Sequence, residues 1–376
     1  MFYRCALHAS DDRRAQALAR AAKRTARKSR NLTIDIHCHF MSPRAIEFTR
    51  PHAGAASESA LRYATPLTRQ ILIEQNTRVH DAISGTEKRL AEMDKMGVDI
   101  QAVSPGPQAY GYFLEPDIGR QASRMVNDDL AELVARHPDR LVAMGTVPLQ
   151  DTQLAIAEME RCVKEHGMRG IEISSHVNGK ELARKELEPF FARAEELGIL
   201  IFLHPLGTTN AERLSDHYFN NVIANPLEAT IAVGHLIMEG VLDRLPKLKI
   251  CVAHGGGYIS HYIGRSDHTF RARADGRQHI KKPPSEYLKR LYFDTVVFDH
   301  AQLRHLVARW GADHVIMGTD WPYDMAEPDP VGFVESCKGL TAADKAKIHG
   351  LNAARLLGIR AKKPAAKKPA PRKRRR

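Results

Sequence analysis

Two histidines separated by one residue carry the first chemical signal in this chain. The run T-I-D-I-H-C-H-F places His37 and His39 in an alternating apolar stretch. Side chains alternate along a strand, so both imidazoles project from one face. Neutral imidazoles side by side suit a borderline metal such as zinc. Three more apolar runs finish in a polar ligand type: I-L-I-F-L-H-P in His204, I-C-V-A-H-G-G-G in His254 and V-I-M-G-T-D-W-P in Asp320. One such ending is ordinary; four together imply a shared site. His37, His39, His204 and Asp320 supply a mononuclear centre that leaves a position for water or substrate. His254 then serves as general base or acid beside a metal-held water, whose pKa falls to ~7. Direct ligation by His254 is the second choice. Gly255, Gly256 and Gly257 let the backbone approach the pocket closely.

The fourth apolar run, G-I-E-I-S-S-H, holds Glu172 and no lysine. Binuclear barrel hydrolases bridge two metals with a carboxylated lysine at that place, so one metal is expected here. Glu172 becomes a supporting carboxylate or a substrate contact. Asp294 is placed to hydrogen-bond a ligand histidine from behind. Trp321 lines the pocket mouth or packs beside it. Cys38, between the two histidines, faces away from the pocket as a small buried apolar group.

Positioning these groups takes eight strands: Thr33–His39, Val98–Ser104, Leu141–Val147, Gly170–Ser174, Ile199–His204, Ile250–His254, Leu291–Val297 and Val315–Thr319. Amphipathic helical stretches lie between most of them. Thr86–Met96 stops at Gly97, Asp117–His137 at Pro138, Asp151–His166 at Gly167, Glu186–Leu197 at Gly198, His300–Trp310 at Gly311 and Thr341–His349 at Gly350. Glycine just past the last turn is the expected helix stop. Eight strands alternating with helices point to α/β class and closure into a (β/α)8 TIM barrel, whose active sites lie at the C-terminal mouth. Residues 40–85, after strand one, are too long for a plain loop and read as a small insertion, a subdomain or lid. No glycine-rich dinucleotide fingerprint follows an early strand.

Of the 376 residues, 43% are apolar and 27% charged, which suffices for a full core and excludes a wholly disordered chain. The apolar runs are far shorter than the ~18 residues a membrane span needs. Five scattered cysteines argue against a disulfide scaffold, and a reducing, cytoplasmic setting is expected. The net charge of +12 is uneven. Residues 1–30 contribute +7 and residues 360–376 contribute +10, leaving −5 on residues 31–359. Both tails, a basic N-terminal extension with a possible helix at Ala15–Arg30 and a Pro- and Lys-rich C-terminal segment, read as disordered. Nucleic acid is expected to bind weakly through the tails if at all.

The H-x-H pair, H-P after strand five, H-G-G-G after strand six and G-T-D-W-P-Y after strand eight resemble the amidohydrolase superfamily. Within it the chain is similar to the aminocarboxymuconate-semialdehyde decarboxylase family over about residues 33–358, with R-L-A-E-M-D-K-M-G-V-D-I-Q and R-L-P-K-L-K-I-C also family-like. The resemblance implies a zinc-dependent decarboxylase without an organic cofactor, manganese being the other metal. It implies ligation by His37, His39, His204 and Asp320 and activation of the metal water by His254. It further implies that Arg265, in G-R-S-D, reaches a substrate carboxylate across a homodimer interface, for which a bidentate guanidinium is well suited. The family's second substrate arginine falls near Arg78, one residue out of register. H-P-L-G stands where close aminocarboxymuconate enzymes have H-P-W-D, which alters the pocket wall and the substrate.

The expected function is removal of CO2 from an aromatic or ring-cleavage carboxylic acid. The leading alternative is a hydrolase or hydratase on the same scaffold, acting on an amide, lactone or unsaturated acid. A scaffold or nucleic-acid protein working through its tails is the rival from another class.

Overall fold

The structure is a computed structural model that describes residues 31–52, 64–208 and 211–359. Both tails, the candidate helix Ala15–Arg30 and part of the 40–85 insertion lie outside the described residues. Eight parallel strands form one sheet: β1 (Ile34–Phe40), β2 (Ile100–Pro105), β3 (Leu141–Gly145), β4 (Gly170–Ile173), β5 (Leu200–Leu203), β6 (Lys249–Val252), β7 (Tyr292–Asp294) and β8 (Val315–Ile316). Each pairs with its neighbour in chain order, for example Ile34 with Ile100 and Leu200 with Lys249. β8 returns to β1 through backbone bonds from Ile36 N–H to Met317 O (3.0 Å), Asp320 N–H to His37 O (2.8 Å) and His39 N–H to Trp321 O (2.8 Å). The sheet thus closes into the expected (β/α)8 barrel.

A buried carboxyl fastens the seam. Asp35 accepts from Thr319 N–H (3.1 Å) and Thr319 Oγ1 (2.8 Å) on one side, and from Gln101 Nε2 (3.0 Å) on the other. Gln101 in turn accepts from the buried guanidinium of Arg89 (3.0 Å), which also donates to His39 O (2.6 Å) and lies 4.6 Å over the Trp321 ring. Buried polar groups are costly unless paired, and this chain of bonds pairs them across β8, β1, β2 and one helix.

The helices obey their local signals. Asp151 caps Thr152–Lys164 by accepting from Leu154 N–H, and Gly97 and Gly198 take the left-handed stop conformation. One expectation is corrected. Gly350 does not end a helix, because the chain continues through a π-helical turn, Lys347–Leu351, into Asn352–Leu357 and stops at Gly358 (φ +61°). Gly350 is needed for another reason: a Cβ there would collide with the carbonyl of Leu32. The long connection after β1 contains the helices Pro43–Thr49 and Pro66–Ser84. Apolar residues fill the space between strands and helices, and a smaller cluster including Ile36, Met144, Leu200, Phe202 and Ile316 packs on the helix Asn352–Leu357. Phe202 meets His37 edge-on at 5.1 Å and makes an apolar floor.

Candidate metal centre and active site

The strand ends converge as the barrel requires. Donor atoms of His37, His204, His254 and Asp320 all lie within 4.8 Å of one another. His39 joins them: its Nε2 is 3.1 Å from Asp320 Oδ1, and its ring is 5.1 Å from His37 and 5.0 Å from His204. His37 Nε2 lies 3.4 Å from Asp320 Oδ1, and His254 Nε2 lies 3.7 Å from Asp320 Oδ2. The five side chains read from sequence therefore do gather at one point. The tight donor set, however, contains His254 where the sequence assignment has His39.

Several of these nitrogens are buried with nothing to bond. His37 Nε2, both ring nitrogens of His204 and Nδ1 of His254 have no hydrogen-bond partner. An orphaned buried polar atom costs ~1–3 kcal/mol, so four in one cluster call for a ligand. Burial, followed by the neighbouring histidines His37, His254 and His39, holds His204 well below the usual imidazole range. Burial pushes the Asp320 carboxyl up, but the His37 charge and the facing imidazoles of His254, His37 and His39 outweigh it and hold it well below its ordinary range. A neutral imidazole at His204 and an ionised carboxylate at Asp320 are forms that bind a divalent cation, and the tight donor set fits one.

Asp294, at the end of β7, organises the cluster from behind. Its Oδ2 sits 2.6 Å from His37 Nδ1 and accepts from His254 N–H (3.0 Å); its Oδ1 accepts from Gly255 N–H (2.8 Å). This fixes the His37 ring so that Nε2 faces the centre. His254 and Asp320 both adopt left-handed backbone (φ +55° and +64°), a strained state for non-glycine residues that persists where surrounding bonds enforce it. The glycines after His254 are required by space: a Cβ on Gly256 would lie 2.5 Å from Phe293, and one on Gly255 or Gly257 would strike Val297 or the Pro226 carbonyl.

Above the cluster opens a cavity of about 750 Å³ that reaches His204 and Asp320. Its wall includes stacked Tyr110 and Tyr112 (5.6 Å), Phe113, Tyr218 and Tyr323. Glu172 is fully buried behind Tyr110, whose hydroxyl donates to Glu172 Oε1 (2.6 Å), so it supports the wall without lining it. Burial raises the Glu172 carboxyl above its ordinary range. Trp321 is packed beneath Arg89, away from the mouth, because its backbone belongs to the barrel seam. Arg78 is exposed on the helix Pro66–Ser84, and that helix turns Leu72, Gln75 and Asn76 to the cavity instead. Arg265 is exposed on the helix Gly264–Ala272, in a shallow surface depression with Tyr262 and His268, outside its own chain's cavity. Sequence reasoning missed Gln75, Tyr218, Asn221 and Asn225, whereas Tyr323, Leu206 and His176 stood in quoted motifs.

Comparison with known proteins follows the same pattern. The chain is 32% identical over 333 residues to 2-amino-3-carboxymuconate-6-semialdehyde decarboxylase of Dictyostelium discoideum, covering 88% of this chain and 92% of that one. It is 27% identical over 300 residues to gamma-resorcylate decarboxylase of Rhizobium radiobacter, covering 74% and 89%. In three dimensions it superposes on 5-carboxyvanillate decarboxylase of Novosphingobium aromaticivorans, solved with manganese, with a TM-score of 0.78 at 24% identity over 88% of this chain and 96% of that one. Residues 34–359 match the amidohydrolase family model, and the chain belongs to that family.

Proposed function

We propose that the protein is a metal-dependent carboxy-lyase that releases CO2 from an aromatic or ring-cleavage carboxylic acid. The observation that carries this reading is the convergence of His37, His39, His204, His254 and Asp320 at the floor of an aromatic-walled cavity. Related decarboxylases spanning the barrel favour it over the hydrolase or hydratase alternative.

In this reading His37, His39, His204 and Asp320 hold a zinc or manganese ion. A bound divalent ion supplies positive charge that orients the substrate and stabilises electrons left behind by the departing CO2. Asp294 keeps His37 in register, and the apolar floor with Tyr110 and Tyr112 excludes bulk water. The carbon–carbon bond to the carboxylate breaks, CO2 leaves, and one proton takes its place on carbon. We assign that proton to His254, whose Nε2 faces Asp320 Oδ2. Asp320 is the alternative donor, because it lines the cavity directly. The 4.8 Å cluster favours a second ligand arrangement in which His254 replaces His39.

The active unit in this reading is a homodimer. Arg265 from a second copy meets the reacting carboxylate, since it does not line the cavity of its own chain. Tyr262, 70% exposed beside it, offers apolar surface for that contact. Arg78 remains a weaker assignment for the same role. The four described cysteines are buried and unpaired, in keeping with the reducing cytoplasmic setting we assign. No described helix is long and apolar enough to cross a membrane.

Metal analysis followed by a CO2-release screen over hydroxybenzoates and carboxymuconate-type acids tests the function. Stoichiometric CO2 from a metal-loaded sample is expected. Hydration or ring opening without CO2 would overturn it in favour of the hydratase or hydrolase.

A further inference from the structure

The wall of the cavity differs in character from its floor. Among the described residues that line it there is no lysine or arginine. The polar positions are mostly carboxamides, phenols and hydroxyls, Gln75, Gln108, Asn221, Asn225, Tyr218 and Tyr323 among them; the wall's imidazole, His176, accepts at Nδ1 from Gly179 N–H (3.1 Å), so that nitrogen carries no proton. Several are held in place by their own bonds. Gln75 is 3% exposed, and its Oε1 accepts from Asp324 N–H (2.8 Å). That bond leaves its amide nitrogen as a donor on the cavity wall, which Tyr218 also lines. Tyr323 donates to Gln108 Oε1 (3.0 Å). Asn225 stands in the first turn of the helix Ala224–Met238 and lines the same cavity.

We propose that this neutral wall is a charge filter: the chain takes an acid bearing one carboxylate and uncharged polar substituents, and Gln75 and Asn225 are specificity-determining residues. The inference rests on the carboxy-lyase reading and narrows its substrate class. Carboxamides and phenols each donate and accept, so they match a hydroxyl or carbonyl on the substrate. A second carboxylate buried there has no opposite charge on the wall to offset its desolvation. Rejection of a wrong substituent by unpaired buried charge is an effective specificity device. Arg265 of a second copy, if it holds the reacting carboxylate, serves both kinds of acid alike and leaves this discrimination to the wall.

The test compares 3-hydroxybenzoate with isophthalate, which exchanges the hydroxyl for a second carboxylate. Binding to the full-length, manganese-loaded protein is measured by calorimetry, with CO2 release measured in parallel. At least tenfold tighter binding of 3-hydroxybenzoate is expected. Gln75→Arg, or Asn225→Arg should the buried site not tolerate the change, is expected to tighten isophthalate at least tenfold. Arg265→Ala is expected to weaken both acids by similar factors. Equal or tighter binding of isophthalate by the unmodified protein overturns the filter while leaving the carboxy-lyase reading intact. Selective loss of isophthalate binding in Arg265→Ala does the same, because a partner's cation would then be reading the second charge. Failure to bind either acid, with no CO2 from any acid screened, removes the carboxy-lyase reading and the filter together.

Discussion

The floor and the wall of the cavity are built by different means. Every floor donor stands within a barrel strand or no more than four residues past its end, so sheet register sets its position. His39 N–H and Asp320 N–H are themselves part of the seam bonding. The wall hangs on connections: Gln75 on a helix in the long segment after β1, Tyr218 just after residues that open the β5 connection, and Asn225 on the following helix. Tyr218 and the preceding His217 have positive φ, so even its backbone is held by packing and not by a regular ladder. A rigid frame fixes the chemistry, and looser connections choose what reaches it.

The largest effect that could break this contrast comes from the floor. His37→Ala should abolish stoichiometric metal and CO2 release together, by elemental analysis and turnover; a metal-loaded, active His37→Ala protein would falsify the assigned centre. His39→Ala and His254→Ala sharpen the ligand set. Loss of metal in the first, with metal retained but turnover lost in the second, supports His254 as the proton carrier. The reverse pattern moves His254 into the ligand set and His39 out. Asp294→Asn keeps the ligands but weakens the support behind His37, and metal affinity should fall ~10–100-fold. Thr319→Val removes one of the donors to Asp35 at the seam. It should lower stability by ~1–3 kcal/mol, read as a drop in the denaturant midpoint, with metal stoichiometry preserved at low temperature. Deleting residues 360–376 should alter CO2 release less than about twofold, since the floor and wall lie wholly outside the tail; a large loss would revive a tail-based function.

The floor was legible in sequence because strand physics leaves a clear trace. A short apolar run, alternating in the first strand and continuous in the others, that ends in histidine or aspartate specifies both an element and the end at which the polar group emerges. Asp294 was legible for the same reason. The wall was not, because no period governs polar residues on connections. The helix Pro66–Ser84 shows the difficulty: Leu67, Ile71 and Ile73 are exposed, so its apolar stripe is blurred and nothing singles out Gln75. Of the two readings open for Trp321, lining the mouth or packing beside it, the structure has the packed one. The residue follows Asp320 directly, yet alternation along the seam sends its ring to Arg89. Gly350 misled by type, since a glycine demanded by the nearby Leu32 carbonyl looks in sequence like a glycine that ends a helix.

The clasp between Asp35 and Thr319 joins residues 284 positions apart in the chain. A ribosome delivers the first partner early and the second only when nearly the whole barrel has been made. Contacts so distant in sequence carry a large closure entropy and form late. The proposed ligand set straddles that same junction, with His37 and His39 made long before Asp320. On that assignment, loading of the ion would come as a closing event of biogenesis, once the last stave of the barrel is fastened.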